Sequence, residues 1–428
     1  MLLRIEDTDV ERSKQHHAEQ IVASLQWLGV DWDEGPFYQS DRLARYRERA
    51  EELVAHGKAY RCYCTVEELE AEREAAERSG VAYRYSGRCR TRATDEEGPH
   101  IIRFRVEPGA IEFHDLIRGD VRFEGELIDD FVLLRSDRNP TYHLSVVVDD
   151  IDMGITHVAR GDDHLSNTPK HILLFRALGA DVPVFAHLPL ILGSDRKRLS
   201  KRTGATSAEE YRDLGIVPQA LFNFLMLLGW NPGNDQELIS RDEAARMFDL
   251  SDVNKAPAVF DPEKLLWMNG QHMMRMSADE LYPHLVPFLG NHAKPLEELR
   301  PIIDLYKSRA RTLKEMAAQM EPFFIDDDAI EYDAEAAKKH LKGDDLASRM
   351  NELHDVLAAT EPFDVTTTEQ ALRSLAESRG SSAAKYIHPL RLALTGRGAS
   401  PPIFDVAVLL GKERTLARLK RLLVTAAR

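Results

Sequence analysis

Two neighbouring stretches constrain this chain most. The apolar run Val184 to Leu192 has the composition of a buried strand, and the basic stretch Arg198-Leu199-Ser200-Lys201-Arg202 follows it, leading into Thr203-Gly204-Ala205. Open α/β sheets present loops to ligands just past their strands. Lys201 is an ammonium on a flexible stem between two guanidinium groups, a set that can fold over a triphosphate and neutralise charge developing at phosphorus. A solvated basic turn would look the same over five residues. The flanking sequence decides between them.

The chain's 428 residues, 43% of them apolar, suffice for two to four domains with a core in each. No apolar run reaches the length of a membrane span, and no charged-then-apolar leader opens the chain, so a cytoplasmic protein is expected. The formal charge of −15 argues against indiscriminate nucleic-acid binding. It leaves room for a local basic face that meets phosphates in one register.

Periodicity predicts sheet-covering helices over Gln15 to Leu28 and over Leu43 to Val54. From Ile101 to Phe131 short alternating runs, broken at Pro108-Gly109 and Gly119-Asp120, predict an antiparallel module. Val146-Val147-Val148 and Ile155 to Ala159 return to buried-strand composition, and His171 to Leu178 is helical before Gly179. From about Ser277 onward helical patterns dominate. The three cysteines stand as Cys62-Tyr63-Cys64 and, after a helix predicted by the capping box Thr65 to Glu68, Tyr85-Ser86-Gly87-Arg88-Cys89. Three sulfurs at this spacing could share a tetrahedral Zn²⁺ completed by an oxygen or nitrogen ligand, or could be unlinked thiols.

Several ordered motifs carry a resemblance. Leu3-Arg4-Ile5-Glu6-Asp7-Thr8-Asp9, His157-Val158-Ala159-Arg160-Gly161-Asp162-Asp163-His164, Phe185 to Leu192 with the Lys-Met-Ser-Lys-Ser-like Arg198 to Arg202, Leu214 to Leu221 with Leu228-Gly229-Trp230, Phe260 to Leu265, and Leu410 to Arg414 occur in that order. Together they resemble bacterial glutamyl-tRNA synthetases from the first residues to the last. The resemblance implies a multidomain α/β plus all-α protein. A class I Rossmann-like catalytic domain would occupy 1–60 and 146–205, with an α+β acceptor-end-binding insertion at 61–145. A helical stem-contact domain would follow at 206–278, then a helical anticodon-binding domain at 279–428.

The family opens with a strand, a phosphate-binding turn carrying a His-Ile-Gly-His-like motif, and a helix. The chain begins at Met1-Leu2-Leu3-Arg4-Ile5-Glu6, the place of the family's second strand. Roughly 35 to 40 residues of a first βα unit are therefore expected upstream of a start assigned too late. A truncated tRNA-binding protein without catalysis is the alternative.

The resemblance also implies roles. Lys201, with Arg198 and Ser200, would serve the transferring phosphates of Mg²⁺·ATP; Asp163 and Leu192 would lie at ATP, with Asp163 standing where Glu is commoner. Arg160 would meet the side-chain carboxylate of L-glutamate, Tyr142 would line its pocket, and Glu6 would bind its ammonium. A guanidinium at a strand end suits a carboxylate bidentately, whereas pairing with Asp162 or Asp163 is the bland alternative. Cys62, Cys64, Tyr85 and Cys89 match the pattern by which some relatives hold one structural Zn²⁺. Arg309 and Arg391 match positions contacting anticodon bases, and Arg309 implies selectivity for tRNA(Glu), with a non-discriminating glutamyl- or glutaminyl-tRNA synthetase the neighbouring alternative; the resemblance as a whole implies a monomer. A tRNA-modifying paralogue would lack the C-terminal domain.

Overall fold

The computed structural model describes residues 1–8, 15–81, 83–91, 98–199, 207–343 and 345–426. Its contacts divide into two units, 1–206 with 225–261 and 207–224 with 262–428. Among the described residues, no helix is long and apolar enough to cross a membrane.

In the first unit, a four-stranded sheet runs in the order Gly119–Glu124, Ala110–Asp115, Val184–Leu188, His157–Gly161. The last two strands are parallel, joined through helix Thr168–Ala177, and their register sets Arg160 beside His187. A second, antiparallel sheet joins Ala59–Cys62, Ile101–Phe104 and Val132–Leu134. The expected antiparallel module is thus divided. Its Ile101–Phe104 strand lies in the second sheet, while the hairpin of Ala110–Asp115 and Gly119–Glu124 joins the parallel sheet where Asp115 pairs with Phe185. Asp115 ties this corner, accepting the backbone N–H groups of Ile117 and Arg118 at 3.0 and 2.8 Å. Gly119, at φ +83°, completes the reversal where a side chain would be strained.

Val146 to Val148, expected as strand, lie in helix Tyr142–Asp152. Every residue from Leu144 to Asp150 is buried, so the helix shows neither polar face nor helical period. A short apolar run of this kind is the same signal from a strand or from a helix packed on all sides. With helices Leu43–Ala55 and Thr168–Ala177 it encloses a core of Tyr46, Leu53, Phe104, Leu144, Val147 and Phe175. Each such side chain contributes about 1.5–3 kcal/mol on burial. The helices expected near Gln15 and Leu43 run over Gln15–Trp27 and Leu43–Ala55.

A parallel pair, Leu2–Ile5 with Glu34–Tyr38, places Glu6 just past a strand end. Arg4 anchors that strand, donating to Asp150 at 2.9 Å. The second unit is helical throughout its described residues, from Pro262–Arg275 to Lys412–Ala426. Helix Ala278–Leu289 begins at a Ser277–Glu280 capping box, which satisfies N–H groups its first turn would leave unpaired.

Candidate active site

Arg160 is the centre of the first unit's polar cluster. Strand His157–Gly161 delivers it, and side chains from helices Tyr142–Asp152 and Thr168–Ala177 and strand Val184–Leu188 receive it. Its Nε donates to His187 Nε2 at 3.3 Å, one terminal nitrogen lies 3.2 Å from both Tyr142 Oη and His171 Nδ1, and the other donates to Thr168 Oγ1 at 2.9 Å. The longest contact, 3.4 Å, goes to the His164 carbonyl. All five acceptors are neutral. Among the described residues, no carboxylate lies within ion-pair distance of Arg160, so the bland pairing with Asp162 or Asp163 is absent. Asp162 instead pairs with Arg118 at 2.5 Å and Asp163 with Arg198 at 3.0 Å. A guanidinium satisfied in hydrogen bonds yet without a carboxylate in direct contact is suited to an anionic ligand that displaces a long contact.

The electrostatics around it keep the neighbours uncharged. Burial, reinforced by the Arg160 charge, holds His171 well below the usual imidazole range. Burial and Lys170 lower His143 to about 4. The Tyr142 phenol is pushed up by burial against the opposing pull of Arg160, and the Glu6 and Asp150 carboxylates are near enough to raise it further. Glu6 and Arg160 thus both lie near Tyr142. Sequence reasoning missed Asp115, His187, Thr168 and His171. His187 was legible in part, as a polar residue inside a buried apolar strand.

The basic loop is held at its stem. Gly193 donates to the Lys197 carbonyl at 2.8 Å and Leu199 to Ile191 at 3.1 Å, with Leu192 bridged to Arg198. Leu192 also pairs with Val259, and its carbonyl accepts Phe260 N–H at 2.8 Å, so its backbone is engaged on that side. Arg198 reaches Asp163, and glycine at 161 leaves room for that carboxylate: a Cβ there would lie 2.7 Å from Asp163 Oδ1. Ser200 and Lys201 lie outside the described residues.

The three cysteines converge from different elements. Cys62 ends strand Ala59–Cys62, Cys64 precedes the Thr65 cap, and Cys89 sits in the turn Arg88–Thr91; all three sulfurs lie within 4.8 Å of one another. Tyr85 Oη is 3.4 Å from both Cys62 and Cys64. Tetrahedral zinc with Zn–S near 2.3 Å requires sulfurs separated by about 3.8 Å; Cys64 and Cys89 stand at 3.5 Å. The three sulfurs are compatible with one zinc ion, with the Tyr85 phenol beside two of them.

In the second unit, a cavity of about 360 Å³ is lined by Tyr306, Arg309, Gln319, Arg397 and Ser400 among others. Arg391 donates to Ser400 Oγ at 3.1 Å, and burial together with the Arg309 charge lowers its pKa. Arg309 lines the cavity, and Arg391 is tied to it through Ser400, near enough to feel the Arg309 charge. The carboxylate on the cavity lining, Asp333, caps helix Ala334–His340 by accepting Ala336 N–H at 2.7 Å.

The chain is similar to known proteins along nearly its whole length. A family model described as tRNA synthetases class I (E and Q), catalytic domain, matches residues 1–267, and one described as anticodon binding domain matches 280–423. Glutamate–tRNA ligase 1 of Acidithiobacillus ferrooxidans is 47% identical over 98% of this chain and 91% of its own length. Glutamate–tRNA ligase of Geobacter sulfurreducens is 46% identical over 98% and 90%. The crystal structure of a glutamate tRNA ligase from Elizabethkingia meningosepticum, in complex with its amino acid, superposes with a TM-score of 0.88 at 32% identity, covering 99% of this chain and 92% of that one. The chain belongs to the class I tRNA synthetases of the E and Q type and, within them, to the glutamate–tRNA ligases.

Proposed function

We propose that this chain activates L-glutamate with Mg²⁺·ATP and transfers it to tRNA(Glu), acting as a monomer in the cytoplasm. An oxygen of the α-carboxylate attacks the α-phosphorus of ATP, the bond to the β-phosphate breaks, and pyrophosphate leaves. The terminal ribose hydroxyl of tRNA then attacks the acyl carbon, and AMP leaves. Neither step requires a protein nucleophile; positioning and charge stabilisation supply the acceleration. The Arg160 guanidinium among neutral acceptors carries this reading. Arg160 takes the side-chain carboxylate, Tyr142 borders it, and Glu6 takes the ammonium. Lys201 and Arg198 neutralise the transferring phosphates, with Ser200 in the same loop; Asp163 aligns Arg198, and Leu192 packs at the adenine.

The catalytic domain in this reading comprises 1–60 and 146–205, with the acceptor-end insertion at 61–145, the stem-contact domain at 206–278 and the anticodon-binding domain at 279–428. Arg309 and Arg391 meet unpaired anticodon bases by stacking and hydrogen bonding. Cys62, Cys64, Tyr85 and Cys89 hold one structural zinc, which would tie the strand, cap and turn of the insertion together. Metal analysis tests that site: one zinc per chain is expected, and retention of full occupancy in Cys89→Ser would contradict it.

The decisive assay supplies the full reading frame encoding this chain with ATP, Mg²⁺, labelled glutamate and tRNA. Glutamyl-tRNA should form, and Lys201→Ala should slow it by about 10²-fold or more. Binding of tRNA without any glutamylation would overturn the proposal in favour of a non-catalytic tRNA-binding protein.

A further inference from the structure

Behind Arg160 lies a second layer that the resemblance did not assign. Asp115 and His187 have side chains fully withdrawn from solvent, and His187 Nδ1 stands 2.6 Å from Asp115 Oδ2. The other carboxylate oxygen accepts three backbone N–H groups, those of Ile117, Arg118 and His187. Burial alone would raise the Asp115 carboxyl, yet these hydrogen bonds outweigh it and keep the group ionised. Burial keeps His187 on the neutral side despite that carboxylate. A neutral imidazole beside a carboxylate places its proton on Nδ1, so Nε2 can only accept. Two donors meet that lone pair: Arg160 Nε at 3.3 Å and Thr168 Oγ1 at 3.0 Å. With its proton committed to His187, Thr168 Oγ1 is free to accept from the terminal Arg160 nitrogen at 2.9 Å. The chain of donors and acceptors runs in one direction, from Arg160 to Asp115.

We propose that Asp115 and His187 are positioning residues that fix the orientation of Arg160, so that the pocket discriminates a side-chain carboxylate from a carboxamide. This rests on Arg160 being the carboxylate-binding residue. A guanidinium locked at Nε and at one terminal nitrogen presents donors only. A carboxylate answers them with two acceptors, whereas a carboxamide brings an NH₂ donor against a donor. Were Arg160 free to rotate away, the amide would be penalised less.

Asp115→Asn keeps size and can keep the backbone acceptor, but its NH₂ faces His187 Nδ1 and drives the proton to Nε2, against Arg160. The expected result is a KM for glutamate raised about tenfold or more, with kcat and the KM for ATP changed less than about threefold and glutamate-over-glutamine preference reduced. Equal loss in every parameter, or no change in the glutamate KM, would overturn the pairing. Arg160→Lys is the control: if it leaves the glutamate KM unchanged, the carboxylate pocket itself fails, whereas a raised KM there with an unaltered Asp115→Asn variant removes only the positioning pair. ¹⁵N NMR of the unmodified histidine-labelled chain serves where the variant does not fold. The resonance lost in His187→Gln should report the Nδ1–H tautomer, and an Nε2–H tautomer would refute the proposal.

Discussion

Arg160 and Arg418 are two inward-directed arginines, one in each unit, and their surroundings differ in kind. Arg418 is fully buried in helix Lys412–Ala426, its Nε 2.7 Å from Asp327 and its terminal nitrogens on the carbonyls of Leu394 and Pro322 at 2.5 and 2.8 Å. It has a carboxylate in direct contact, one it shares with Arg414. Arg160 has a comparable wealth of hydrogen bonds, but among the described residues every partner is neutral. Hydrogen-bond satisfaction therefore does not separate the two arginines; a carboxylate in direct contact does. Arg418 meets a carboxylate of the protein, whereas in the proposed reading Arg160 meets one of the substrate.

Four experiments can break or sharpen this contrast. Arg160→Gln removes the charge while keeping a polar side chain, and kcat/KM for glutamate should fall about 10³-fold with the thermal midpoint nearly unchanged. The reverse pattern is expected of Arg418→Met, which leaves Asp327 with Arg414 as its remaining cation at 3.0 Å. Urea unfolding should report a loss of about 3 kcal/mol, with unaltered kinetics in the folded fraction. A smaller, third behaviour is predicted for Arg391→Gln, since Arg391 lies near enough to Arg309 to feel its charge and donates to neutral Ser400. Fluorescence titration should show tRNA affinity weakened about tenfold, with stability and glutamate KM unchanged.

A fourth effect is electrostatic and specific to the Arg160 cluster. His143 titrates near 6.5 when unfolded and about 4 in the fold, and His171 is lowered as well. The unfolded chain then binds protons that the native chain refuses, so stability rises with pH in this window. Stability is fully present above the unfolded value and should decline as pH falls from about 6.5 towards 4, by about 3 kcal/mol for His143. A stability profile that is flat over this range, or identical in His143→Gln, would show that the cluster is not held neutral by burial.

The strand end at Arg160 was legible because His157 to Gly161 combines strand composition with the motif that follows it. The polar layer beneath was not, because Asp115, Thr168, His171 and His187 come from separate elements that only the sheet order and the Asp115–Phe185 pairing bring together. Val146 to Val148 misled for a physical reason: a helix buried on all sides erases the periodicity by which helices are recognised. The cysteine set was readable from spacing, yet its geometry depends on Tyr85, which spacing alone leaves among other oxygen and nitrogen donors.

The most direct test is the ratio of kcat/KM for glutamate to that for glutamine, measured in tRNA aminoacylation before and after Arg160→Gln. A strong preference for glutamate that collapses in the variant, chiefly through the glutamate KM, is the predicted result. A preference that survives the loss of the guanidinium would contradict the claim that Arg160 completes its charge with the substrate carboxylate.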